Sequence, residues 1–167
     1  MLHSHRQTHL GKHRFMKTIV ALVDLSSLAL EVLRQASSFA RAFNCEVVVL
    51  HVVPKQPTVV DEGLIWTVGM KKPSHDLLRS NYAKLLEMID DLTRAGVHAT
   101  VRQMVDAGVD EVLTETSGLQ AGLIILGAHP HSTLYHLLIG SMADDVLKNA
   151  HCPVLVVPEI EPAHGEA

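Results

Sequence analysis

Gly127 and the pair Gly140-Ser141 bracket a loop whose residue types suit an anion. Residues 123–126, Leu-Ile-Ile-Leu, form an apolar run short enough for a buried strand, and Gly127 follows as a turn former. Gly140-Ser141-Met142-Ala143-Asp144 then opens a short helix, with Ser141 as its N-cap and Asp144 three residues on. Backbone N–H groups at a helix start, facing a loop with glycine at both ends, make a seat for phosphate. The same residues also serve packing and capping in many α/β proteins. Between the glycines stand His129, Pro130 and His131, with His136 beyond. An imidazole can donate to a phosphate oxygen, more strongly when charged. A metal is a second reading, but no carboxylate or thiolate stands at a recognisable ligand spacing. A plain solvated turn is the third.

Asp24 ends the first apolar run, in Ala21-Leu-Val-Asp24-Leu-Ser26-Ser27. Its carboxylate either accepts from a ligand N–H or O–H, or orders the turn and caps the next helix. Ser26 and Ser27 read as caps rather than nucleophiles, because no G-x-S-x-G elbow surrounds them. His51 and Val52 end the second apolar run. Backbone atoms of Val52 could line a base pocket, or the residue is ordinary core. His151 and Cys152 pair only on paper, since nothing orients the histidine, and Cys152 before an apolar strand reads as packing.

Strands and helices alternate around these residues. Strands are expected at 18–23, 46–53, 97–104, 123–126 and 154–157. Helices are expected after Leu28, with Val32, Ala36, Phe39 and Phe43 on one face, and over 78–92, where Gly96 closes the helix. Two shorter helices fall at 109–117 and 142–149. The stretch 54–73, with three prolines, two glycines and no clean period, reads as a loop or lid. Such alternation implies a parallel sheet covered on both faces, with ligands at the carboxyl ends of its strands where strand order reverses. The last strand lies between Pro153 and Pro158, which suits a sheet edge and favours pairing with a second copy.

The 167 residues suffice for one domain with a substantial core, 47 % apolar and largely aliphatic. Two cysteines make neither a disulfide framework nor a zinc set, and a reducing, cytoplasmic setting fits them. No run approaches the ~20 apolar residues of a membrane helix. Residues 1–15 carry four His, two Arg and one Lys without an acid, and read as a leader or an extraneous extension before Met16. Residues 159–167 read as a flexible tail. Setting the leader aside leaves 11 basic against 18 acidic side chains, and so acidic a body repels a nucleic-acid backbone.

Taken together, Asp24 with Ser26, Leu50-His51-Val52-Val53, Leu126-Gly127-Ala128-His129, Leu137-Leu138-Ile139-Gly140-Ser141 and His151-Cys152-Pro153-Val154 resemble the universal stress protein family over 16–158. The resemblance implies a Rossmann-like, single-domain open sheet of five parallel strands in the order 3-2-1-4-5, with helices on both faces. It also implies a homodimer through the last strand. The nucleotide-binding branch of the family holds ATP between the first and fourth strands and is marked by G-x2-G-x9-G-[S/T]. Gly127, Gly140 and Ser141 match, whereas Pro130 replaces the middle glycine and brings no N–H. His131 stands where Arg or Lys is common, and Thr133 replaces another glycine.

By resemblance, Asp24 and Val52 meet the adenine side. Gly127, Gly140, Ser141 and Met142 cradle ribose and phosphates, with His129 and His131 in the same loop. The expectation is a stress sensor or regulator binding ATP, AMP or ADP, with magnesium accompanying ATP. No water-activating base or Walker lysine is evident, so hydrolysis is expected to be slow at most. The alternatives are a dimer acting through protein partners without nucleotide, and a slow nucleotide-hydrolysing or nucleotidyl-transferring enzyme.

Overall fold

The computed structural model describes residues 16–61, 66–128 and 140–159. The expected leader, nearly all of the expected tail, and His129, Pro130, His131, Thr133 and His136 therefore lie outside the described residues. Five strands form one parallel sheet: β1 (Thr18–Val23), β2 (Glu46–Val53), β5 (Ala99–Val105), β6 (Ala121–Ala128) and β7 (Val154–Pro158). Their order is β5-β2-β1-β6-β7, which is the expected 3-2-1-4-5 once the five are counted alone. Between them run α1 (Leu28–Phe43), α2 (His75–Arg94), α3 (Val109–Gly118) and α4 (Gly140–Asn149).

Period-two alternation divides the sheet into two aliphatic cores. Ile19, Ala21, Val47, Val49 and Ile125 pack under α1 and α2 with Val32, Ala36, Leu85 and Ile89. Val20, Val48, Leu50, Ile124 and Leu126 pack on the other face with Val112 and Val146 of α3 and α4. The α1 stripe differs from expectation at its end. Ala40 is buried, whereas Phe43 is 58 % exposed and stacks on Phe39. By the 3.6-residue period position 43 still falls on the buried stripe, but it is the last residue of α1, at the end of the helix. Asn44 stops α1 in the left-handed region (φ 54), and Gly96 (φ 79) follows α2, as its position predicts.

Three expectations are corrected. The segment 54–73 is not a loop, because β3 (Gln56–Asp61) and β4 (Trp66–Lys71) pair as an antiparallel hairpin. Val59, Val60, Trp66 and Val68 supply strand-forming types, and both strands are edges, where Pro57 is tolerated. Gly127 is not a turn residue, for β6 continues through it and pairs it with Val157. Its missing side chain serves packing instead, since a Cβ there would lie 2.6 Å from Leu28 Cδ2. Helix α4 begins at Gly140, so Ser141 lies within the first turn rather than at the N-cap. No β-branched residue or proline in Gly140-Ser-Met-Ala delays that start.

Candidate functional site

Strand order reverses between β1 and β6, and a cavity of about 310 Å³ opens at the carboxyl ends of the strands there. Crevices at such switch points are the usual ligand seats of open α/β sheets. Its floor is apolar, with Leu22, Val32, Leu50 and Leu126 in its lining, and Asp24, His51, Asn81 and Asp106 supply the polar groups. Of the residues singled out from sequence, Asp24, Val52, Gly127 and Met142 line this one cavity. Gly140 and Ser141 belong to the first turn of the helix that contributes Met142.

The turn after β1 is built by Asp24. Its Oδ1 accepts from the Ser26 backbone N–H (3.0 Å) and from Ser26 Oγ (2.6 Å), so the carboxylate orders the turn. Ser27, the N-cap of α1, makes no side-chain cap bond, and the Ser26 hydroxyl donates to Asp24. Leu25, between Asp24 and Ser26, is held at φ 65. A left-handed leucine costs roughly 1–2 kcal/mol, which the Asp24 bonds and the partial packing of Leu25 offset. The end of β5 has the same character, with Asp106 at φ 55, its N–H on Val53 O (2.9 Å) and its carboxylate on Lys55 Nζ (2.7 Å).

His51, only 4 % exposed, joins three elements. Nδ1 donates to the Val23 carbonyl at 2.8 Å, which fixes the Nδ1–H tautomer and leaves Nε2 as an acceptor. Asn81 Nδ2 on α2 faces that acceptor at 3.5 Å, the outer limit of a hydrogen bond. Burial pushes the imidazole below its ordinary pKa, and the Val23 bond and Asp24 charge only partly oppose this. His51 is therefore a neutral brace. On the neighbouring strand Gln103 is in register with it, and its Nε2 is a buried donor with no partner among the described residues.

Asn81, Asp106, Gln56 and Leu25 were not legible as site residues. Asn81 alone left a signal: it stands four residues before Leu85, a polar side chain on the core-facing stripe of α2. Cys152 is half-buried and its thiol is pushed up by that burial, while His151 is exposed, so the two form no reactive pair. Among the described residues no cluster of three His, Cys, Asp or Glu side chains is placed to hold a metal. No described helix is long and apolar enough to cross a membrane.

The geometry has close counterparts. Residues 16–158 match the model of the universal stress protein family. Universal stress protein MJ0531 of Methanocaldococcus jannaschii is 32 % identical over 142 residues, covering 84 % of this chain and 81 % of its own. A universal stress protein of Archaeoglobus fulgidus solved with dAMP is 22 % identical, with a TM-score of 0.60 over 85 % of this chain and 97 % of its own. A universal stress protein solved with cAMP is 23 % identical, with a TM-score of 0.61 over 86 % and 97 %.

Proposed function

Because this chain belongs to the universal stress protein family, we propose that it binds an adenine nucleotide in the crevice between β1 and β6. The observation that carries this reading is the convergence of Asp24, Val52, Gly127 and Met142 on one cavity at the switch point. The dAMP and cAMP complexes of similar folds support the choice of nucleotide class. The apolar floor suits a base, and the backbone of Val52 at the strand end offers an edge for it to pair with. The Asp24 carboxylate stands at the mouth, where a ribose hydroxyl can donate to it. The first turn of α4, Gly140-Ser141-Met142, directs backbone N–H groups at the phosphates, and Ser141 brings a hydroxyl.

ATP is the nucleotide proposed, with AMP or ADP as alternatives and magnesium carried in on the triphosphate oxygens. His129 and His131 would extend the phosphate side. The chain acts as a cytoplasmic sensor or regulator in stress adaptation, as a homodimer joined along β7. That strand is the free edge of the sheet, with Val154, Leu155 and Val156 only half-buried. Calorimetric titration of the full chain with ATP, with and without magnesium, tests the reading. Saturable binding below about 100 μM, lost in Ser141→Ala, supports it. The absence of heat at millimolar ATP from nucleotide-free protein overturns it and leaves a dimer acting through protein partners.

A further inference from the structure

We propose that Asn81 reads the base of the bound nucleotide and selects a 6-aminopurine over a 6-oxopurine, an inference that rests on the nucleotide reading above. Leu77, Asn81 and Leu85 stand at four-residue spacing and therefore share one face of α2. Leu85 is buried in the core beneath the helix, whereas Leu77 and Asn81 line the cavity. An amide thus interrupts an apolar stripe at the cavity wall. A polar group on such a stripe costs stability unless it is well hydrogen-bonded. Asn81 is not, since its one bond within the protein is the 3.5 Å contact of Nδ2 with His51 Nε2. Among the described residues its Oδ1 has no partner.

A chain of donors and acceptors fixes which way round this amide lies. The Val23 carbonyl can only accept, so His51 Nδ1 carries the proton and Nε2 of the neutral ring can only accept. Asn81 must therefore turn its NH2 group, not its carbonyl, to the imidazole. The N–H pointing away from Oδ1 serves that contact. Oδ1 and the N–H beside it remain for the cavity, as an acceptor next to a donor. Adenine presents the complement, an amine donor at position 6 beside a ring-nitrogen acceptor, on each of its two hydrogen-bonding edges. Asparagine reads adenine by this pairing in nucleic acids. A 6-oxopurine sets a carbonyl oxygen against Oδ1 instead. An amide free to turn over would adapt to that change, but His51 opposes the turn. His51 is thus the positioning residue, and Asn81 makes the selection.

The test compares AMP with inosine monophosphate by calorimetry on the nucleotide-free full chain. The two ligands share ribose and phosphate, so the ratio of their dissociation constants is blind to Asp24 and to the first turn of α4. The native protein is expected to bind AMP about fivefold to a hundredfold more tightly. Asn81→Leu, of similar size and well suited to a helix, should narrow that ratio at least about fivefold, and Asn81→Ala should do the same. Equal affinity of the native protein for both nucleotides overturns the proposal, whatever the variants do. A preference for AMP that persists unchanged in both variants assigns the selection to the backbone and equally overturns it, as does a parallel loss of both ligands at constant ratio. Each of these results leaves nucleotide binding standing. No heat from either ligand at millimolar concentration overturns the nucleotide reading itself, and base selection by Asn81 with it.

Discussion

At position 127 a methyl group would press on Leu28 Cδ2 at 2.6 Å and Cγ at 2.9 Å, both in the core beside the cavity. Gly127→Ala is expected to destabilise the protein by about 1–3 kcal/mol, read as a lower urea midpoint with an unchanged slope. Equal midpoints would show that Leu28 yields freely. Asp24→Ala removes the two bonds that its carboxylate accepts from Ser26 and leaves Leu25 in its left-handed turn, at a cost of about 1 kcal/mol in the same assay. His51 sets a pH dependence. Its folded pKa is lowered from 6.5, so the unfolded chain binds more protons in the window below that value. The stability His51 contributes is full above about pH 6.5 and is lost as pH falls toward the folded pKa. Urea midpoints at pH 7.5 and 5.5 should therefore fall further for the native protein than for His51→Gln, and equal falls would contradict the neutral brace. At this scale the sequence showed which residues stand at strand ends. It did not show that Gly127 yields to Leu28 rather than to a turn, because that contact joins residues a hundred positions apart.

Among the elements, the strands and helices of the sheet were legible because each carries a continuous apolar run, an alternation or a helical period between turn-forming residues. The hairpin was not. Its two strands are six residues each, and Pro57 and Gly69 interrupt the pattern that Val59, Val60 and Val68 would otherwise declare. The stem ion pair Lys55–Asp106 is about 40 % exposed on both sides. Lys55→Ala should accordingly cost less than about 1 kcal/mol of global stability, while hydrogen exchange at the β3–β4 amides accelerates. Unchanged exchange would show that the pair does not secure the hairpin. Asn81 escaped notice for a related reason. One polar residue in an amphipathic helix says little until the strand end opposite it, here His51, is known.

Across the whole molecule, β1 at the centre, the order β5-β2-β1-β6-β7 and the two aliphatic cores leave one place where strand ends diverge. That place gathers residues from positions 22 to 143 into a single cavity. Fold class was legible from the alternation of strands and helices, strand order only through the family's pattern, and the strand ends that would carry the cavity from the two together. The walls were not, because α2 and the hairpin reach the rim through contacts that no local period encodes. The most direct measurement is amide chemical-shift mapping of the full chain during titration with AMP. The account predicts saturable shifts at Val52, Gly127, Ser141 and Met142, together with the turn from Asp24 to Leu28. Saturable binding whose shifts fall elsewhere, leaving these amides unmoved, would contradict it.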